Sequence, residues 1–411
     1  MKRNRWLWLR IVLMAVCVLL LGIDVVNYAW HTWKERFACD LTVRHNEIEC
    51  IRTGVDPFDI FERQISSEVY RGIFRPDKPE EPQDGRKVVH SYPAWHMAFF
   101  WWNNYVPRNL CIVIMLIANI CSLVWVCKWL AKKYQRSDAV HLVQDIMFLA
   151  VMMLYPFFCV LETLNYGLLL LGCLLLLWLA LQRKYEILAG IVYAFIMVKP
   201  QVGVVLLPPL FLNKKFKTVA VAAAICIIGT LFTARQLNKS PIELILQIPL
   251  IGAPFYKGFF TAMAYKAFGP VGGFVSMGVF ILIATAGCFL VRNAEEIWMR
   301  FLPALAIVPF WTYSLHHDWF IVLPCYLFIL NSKFKHPKLY GLSMDLAILW
   351  ILSFLIGRQE FRIRGCTTVD DTIFLLAILM LSTILVVWDR NEEWIHRNAP
   401  RLLPFLKKED K

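Results

Sequence analysis

Long apolar runs fill most of the sequence and are separated by short connectors that hold most of the charged residues. A helix needs about 20 apolar residues to cross a bilayer, and several runs approach or exceed that length. The pattern therefore predicts an all-α polytopic membrane protein, a helical bundle with about ten to twelve transmembrane helices. The candidate spans are 6–30, 108–130, 141–158, 165–182, 186–198, 200–212, 218–234, 272–291, 300–313, 318–331, 340–356 and 371–388.

Basic residues mark one side of these spans. With this threading, every lysine- or arginine-rich connector falls on the same side, which the positive-inside rule identifies as the cytoplasm. Both termini are then cytoplasmic. Residues 1–388 form one predicted transmembrane domain, 31–105 its first non-cytoplasmic loop with short interfacial helices, and 389–411 a cytoplasmic tail. The basic connectors contain Lys2, Arg3, Lys132, Lys133, Arg183, Lys184, Lys214, Lys215, Arg292, Arg300, Lys333 and Lys335.

Composition agrees with the membrane class. Hydrophobic residues make up 59% of the chain and charged residues only 18%, whereas soluble domains carry about 25% charged residues. The net charge of +13 does not indicate a nucleic-acid partner, because the positive residues lie in the connectors. Most of the cysteines lie inside apolar runs, and none has zinc-site spacing, so no metal site is predicted.

Two pairs of short spans meet at polar turns. The pair 186–198 and 200–212 meets at Lys199-Pro200, and the pair 300–313 and 318–331 meets around His316-His317. Short paired helices place their turn below the membrane surface, where irregular backbone is tolerated only against protein or a water-filled cavity. The sequence therefore predicts a hydrated cavity that opens on the non-cytoplasmic side.

Two aspartates of the first loop are candidates for this cavity. Asp40 follows the first span by about ten residues, and a carboxylate there can act as a general base. Its alternative role, the commoner one for a lone aspartate, is a helix cap or a solvated loop carboxylate. Asp56 precedes Pro57 after Gly54, and capping is the better interpretation there. Cys39 and Cys50 lie about 16 Å apart if one helix carries both, too far to bond, and their pairing stays open.

The remaining candidates are polar groups that suit an anionic ligand. Lys199 offers a compact positive charge for a phosphate, although a lysine at a helix end also snorkels to the interface. For the pair His316-His317, a core or interfacial position without a functional role is an equal alternative. Arg358 and Arg362 place positive charge where the positive-inside rule predicts little, which favours an anion-binding function.

The order of these motifs resembles glycosyltransferase family 87, membrane enzymes of the GT-C class. The similarity runs from about residue 38 to 331. The sequence departs from the family pattern where Arg44 replaces a tyrosine, Ala94 a proline, and Glu162-Thr163 a Gly-Gln pair. The matching segments are Asp40-Leu41-Thr42-Val43-Arg44, Gly54-Val55-Asp56-Pro57-Phe58-Asp59, Tyr92-Pro93-Ala94, Glu162-Thr163-Leu164-Asn165, Leu188-Ala189-Gly190 to Lys199-Pro200, and His316-His317 with Leu323-Pro324.

The resemblance implies a function and a set of roles. A family member moves a hexose (mannose-like) or a pentose from a polyprenyl-phosphate donor to a lipid-linked or cell-envelope glycan acceptor, with inversion at the anomeric carbon. The resemblance also implies that the active site lies on the non-cytoplasmic face of a bacterial plasma membrane, that membrane lipid surrounds the protein, and that the reaction needs no cofactor. The implied roles are a catalytic base at Asp40, donor phosphate or sugar contacts at Lys199, His316, His317, Asn165, Arg358 and Arg362, and support from Asp56 and Tyr92.

Two other functions remain open from the residues alone. A transporter or flippase of a lipid-linked sugar shares a polar cavity and basic phosphate contacts, but it needs polar pathways to both faces and often has repeated halves. A glycan ligase moves a whole glycan from a lipid diphosphate. The polar groups favour one face and no internal repeat is evident, which favours the transferase.

Overall fold

The computed structural model describes residues 39–57, 92–133, 160–161, 163–245, 260–311 and 320–325, with the isolated positions 8, 12 and 15. Every regular element in these ranges is helical, which confirms the predicted all-α class. The predicted spans 6–30, 141–158, 340–356 and 371–388, most of 318–331, and the tail 389–411 lie outside the described residues.

Helix α1, Cys39–Arg52, carries Asp40 in its first turn, where a negative charge is favoured by the helix dipole. After the helix ends at Arg52, Gly54, with a φ of 74°, and the backbone bonds around it form a left-handed C-terminal cap. Both cysteines of the first loop lie on this one helix, and Cys50 is a buried free thiol. Helix α2, Ala94–Phe99, begins after Pro93 and leads into a 3-10 turn, Trp101–Asn104.

Three helices correspond closely to predicted spans: α3, Arg108–Lys133; α4, Gly167–Gln182; and α5, Glu186–Ile196. Helix α4 packs against both α3 and α5. A glycine is required at position 172, because a methyl group there would lie 2.6 Å from Ser122 Oγ on α3. The tight α3–α4 contact therefore depends on this missing side chain.

The predicted break at Lys199-Pro200 is present. Helix α5 ends at Ile196, and a short helix α6, Pro200–Gly203, begins with the proline at its first position. Proline disfavours the helical conformation in the residue before it and is itself suited to a first helical position. A 3-10 turn and α7, Leu207–Leu212, follow, and then α8, Phe216–Leu237.

Helix α9, Phe260–Leu290, is longer than the predicted span 272–291. Gly269 interrupts its helical path with a φ of 67°, so the segment before the glycine joins the span through a kink. Helix α10, Leu302–Trp311, follows a 3-10 turn and packs against α9. Helices α1 to α6 and α8 belong to one compact unit, and α7, α9 and α10 belong to another.

Three described helices are long and apolar enough to cross a membrane: Arg108–Leu130, Phe216–Leu237 and Val271–Leu290. Only 33%, 33% and 17% of the most apolar part of each helix is buried inside the protein. Exposed apolar surface of this extent is expected where lipid covers the helix. The chain is therefore a membrane protein, as predicted.

Candidate active site

Asp40, Asn165 and Lys199 form a continuous hydrogen-bonded chain. The Asn165 side-chain Nδ2 donates to Asp40 Oδ2 at 2.5 Å, and Lys199 Nζ donates to Asn165 Oδ1 at 2.5 Å. Asn165 and Lys199 are buried, with Lys199 0% exposed, whereas Asp40 is partly exposed. The Asp40 carboxyl group and the Lys199 ammonium group thus lie on opposite sides of one amide group.

The chemistry of the neighbours fixes the orientation of the Asn165 amide. An ammonium group only donates hydrogen bonds, so the amide oxygen must face Lys199. The amide nitrogen then faces the Asp40 carboxylate, which only accepts when it is ionised. Asn165 therefore connects a base and a cation that are far apart in the sequence, and rotation of its amide would break both bonds.

The Lys199 turn is held by side chains from other elements. Trp95 Nε1 on α2 donates to the Met197 carbonyl at 3.0 Å, and Tyr193 OH on α5 donates to the Gly203 carbonyl at 2.9 Å. Lys199 Nζ reaches Asn165 and is fully buried. This geometry directs the ammonium group into the protein rather than along the helix toward an interface.

The Tyr92 ring lies beside this chain. Its hydroxyl is 3.5 Å from Asn165 Nδ2, and its ring face receives the Arg44 guanidinium at 4.2 Å from the centroid and Lys199 Nζ at 6.0 Å. Cations are attracted to the negative face of an aromatic ring at these distances. Tyr92, predicted as a supporting residue, therefore contacts Asn165 and both cations.

A buried polar network extends from Tyr92. Arg44, one helical turn after Asp40, pairs with Glu47 at 2.7 Å, and both are buried. Burial disfavours the charged form of Arg44, but the charge interactions with Glu47, Tyr92, Tyr166 and Asp40 together outweigh it, and the pKa of the guanidinium lies above its ordinary value. The His96 ring stacks on Tyr92 at 4.6 Å, and its Nε2 lies 3.2 Å from Tyr166 OH.

Asp56 has a different setting from Asp40. It precedes Pro57, the last described residue of this segment. Its carboxylate forms an ion pair with Lys239, just beyond α8. Because Asp56 is largely buried and its partner lies on another element, the pair fastens the turn after α1 to the end of α8.

The structure brings four of the predicted site residues together: Asp40, Asn165, Lys199 and Tyr92. The predicted contacts at His316, His317, Arg358 and Arg362 lie outside the described residues.

Sequence reasoning missed the buried members of the cluster, namely Glu47, His96, Tyr166 and the polar Asn119 on α3. One signal was available, since Asp40, Arg44 and Glu47 are spaced four and three residues apart and therefore share one face of α1. In the described part of the chain, no group of three or more His, Cys, Asp or Glu side chains is placed to hold a metal ion.

The arrangement has two chemical capabilities. A partly exposed carboxylate held in one orientation can accept a proton from an attacking hydroxyl. A buried ammonium group near it can stabilise negative charge that develops on a leaving group. A transfer reaction that needs both operations at once is compatible with this geometry.

Comparison with known proteins agrees with this chemistry. No curated protein and no solved structure matches the chain. Residues 90–243 match the family model of glycosyltransferase family 87, a range that includes Tyr92, Asn165 and Lys199. The match covers less than half of the chain, and it agrees with the resemblance to this family found in the sequence.

Proposed function

We propose that the chain is an inverting glycosyltransferase that moves a hexose, mannose-like, or a pentose from a polyprenyl-phosphate donor to a lipid-linked or cell-envelope glycan. The reaction takes place on the non-cytoplasmic face of a bacterial plasma membrane and needs no metal cofactor. The hydrogen-bonded chain from Asp40 through Asn165 to Lys199 carries the proposal.

Asp40 acts as the base. Its carboxylate accepts the proton of the acceptor hydroxyl while that oxygen attacks the anomeric carbon. The bond between the anomeric carbon and the donor phosphate breaks at the same time, and direct displacement inverts the configuration. The partial exposure of Asp40 and its position in the first turn of α1 support this role.

Lys199 stabilises the departing polyprenyl phosphate. A phosphate leaving group gains negative charge in the transition state, and a fixed cation in a water-poor site lowers that barrier. The single amide between Lys199 and Asp40 keeps the cation close to the base. His316, His317, Arg358 and Arg362 are proposed as further contacts to the donor.

The test uses the purified full-length chain in lipid vesicles with a panel of polyprenyl-phosphate sugars and mass spectrometry of the products. Asp40→Asn is expected to lower turnover by about 10²- to 10⁴-fold, because the base is lost while the side-chain shape is kept. Lys199→Ala is expected to weaken donor binding and to lower kcat, because the cation that stabilises the leaving phosphate is lost.

Glu49→Gln is the matched control, since it neutralises another carboxylate on α1 and is expected to change turnover less than twofold. Wild-type rates in Asp40→Asn would exclude Asp40 from the mechanism. Transfer by no donor of the panel, with movement of the lipid-linked sugar between leaflets instead, would replace the transferase by a flippase.

A further inference from the structure

Asn119 is a polar side chain in the middle of α3, an otherwise apolar helix that is long enough to cross the membrane. It is 0% exposed. Both ends of its amide bind the segment that enters helix α4: Nδ2 donates to the Asn165 carbonyl at 3.0 Å, and Oδ1 accepts from the Leu169 N–H at 3.0 Å. A buried amide at this depth requires such partners, since an unsatisfied polar group is costly there.

The second bond replaces a missing helix cap. The first N–H groups of a helix have no partner within the helix, and the N-cap residue of α4, Tyr166, provides no side-chain cap. Leu169 is the third residue of α4, the position whose N–H a capping side chain ordinarily binds. Asn119 supplies this acceptor from a different helix.

The first bond fixes the residue that joins base and cation. Asn165 follows Leu164, which has a left-handed φ of 52° and is a β-carbon-bearing residue in a region that favours glycine. A turn of this kind persists only where its surroundings hold it. The Asn119 side chain binds the backbone carbonyl of Asn165 and so stabilises this turn, while the Asn165 side chain faces Asp40 and Lys199.

We propose that Asn119 is a positioning residue of the transferase. It touches neither the donor nor the acceptor; it acts through Asn165 to set the position of Asp40 relative to Lys199. This inference rests on the proposed function, because the consequence for catalysis depends on Asp40 as base and Lys199 as cation. A displacement of about 1 Å in such a pair can lower a rate by about 10²-fold.

Two variants of Asn119 test this role. Asn119→Leu removes both hydrogen bonds and is expected to lower kcat by about 10- to 100-fold with less than a threefold change in KM for the donor. Asn119→Asp keeps the acceptor for Leu169 and loses the donor to Asn165. Its activity relative to wild type is expected to rise as the pH falls, because a protonated carboxyl donates again to the Asn165 carbonyl.

Ser122→Ala is the control, a buried polar position one turn further along α3, and is expected to retain kcat within twofold. Amide hydrogen exchange of residues 163–170 provides a readout that does not depend on activity, and Asn119→Leu is expected to accelerate it at least tenfold. Double-mutant cycles add a third readout, since Lys199→Ala is expected to cost less kcat in the Asn119→Leu background than in wild type.

The outcomes separate the two proposals. A wild-type chain that transfers no sugar contradicts the proposed function, and with it the catalytic role of Asn119. If the wild type is active, any one of three results overturns the positioning role alone. These are a kcat of Asn119→Leu within twofold of that of Ser122→Ala, strictly additive effects of Lys199→Ala and Asn119→Leu, or unchanged amide exchange at residues 163–170. Reduced kcat with unchanged KM, faster exchange and non-additivity supports it.

Discussion

A residue with a left-handed backbone conformation flanks each end of helix α4, and the two residues are stabilised in different ways. Leu164, just before the helix, has a φ of 52°, and Lys184, just after it, has a φ of 61°. Leu164 is fully buried, whereas Lys184 is exposed. At the exposed end the backbone satisfies itself, because Tyr185 N–H donates to the Ala180 carbonyl at 2.8 Å and Lys184 N–H to the Leu181 carbonyl at 3.2 Å.

At the buried end, side chains from distant parts of the chain provide the bonds. Asn119 binds the backbone, and Asp40 and Lys199 bind the Asn165 side chain. A turn that satisfies its own backbone tolerates many sequences. A turn that depends on three other elements requires specific residues, and this is the turn at which the proposed chemistry takes place.

Among substitutions at the two ends of α4, Asn165→Asp is expected to lower activity most strongly. The substitution keeps the shape of the side chain but replaces the donor that faces Asp40 by an acceptor, so two carboxyl groups face each other at hydrogen-bonding distance. They cannot both stay ionised at low cost, and a proton shared between them occupies the base. Sugar transfer is expected to fall by at least about 100-fold in the vesicle assay.

Asn238→Asp makes the same chemical change at an exposed position with a φ of 51°, and we expect its activity within twofold of wild type. Equal losses in both variants would show that the Asn165 bonds have no special role.

Leu164→Gly is expected to have the next largest effect. Glycine removes the strain of the left-handed φ, but the substitution also deletes a fully buried leucine side chain, a loss of about 2–5 kcal/mol when truncation leaves a cavity. We expect a net destabilisation of about 2–4 kcal/mol, measured as the shift in the denaturation midpoint of the purified protein in detergent. An unchanged midpoint would mean that the turn is not anchored by packing.

Lys184→Gly introduces glycine at the left-handed residue after α4. It is expected to have the smallest effect and to raise the stability of the protein rather than lower it. The lysine side chain is exposed, so only the relief of the left-handed backbone remains, a gain of about 0.5–1 kcal/mol. Sugar transfer is expected to stay within twofold of wild type. A loss of activity here would contradict the assignment of this end to a purely structural role.

The apolar pattern predicted the helices well because their period and length follow from local sequence. The spans 108–130, 165–182 and 218–234 agree with α3, α4 and α8 to within a few residues. The added length of α9 was not predicted, because the chain continues as helix on both sides of the kink at Gly269. A local hydropathy pattern does not distinguish a kink from a helix end.

The site was predicted in part. The predicted topology placed Asp40, Asn165 and Lys199 on the same, non-cytoplasmic side of the membrane, and this was consistent with a contact between them. Asn119 and His96 were not found, since a single polar residue within an apolar or aromatic run gives no local sign of its partner. The pairing of Asp56 with Lys239 joins two charges from distant segments, which local pattern reasoning does not connect.

The contact between Asp40 and Asn165 spans 125 positions of the sequence, and this separation has a consequence for biosynthesis. At about 5–20 residues per second, the ribosome delivers Asn165 roughly 6–25 seconds after Asp40. Helix α1 is therefore synthesised several seconds before the Asn165 side chain to which Asp40 binds. The hydrogen bond that orients Asp40 can therefore form only after α3 and the segment with Asn165 have been synthesised.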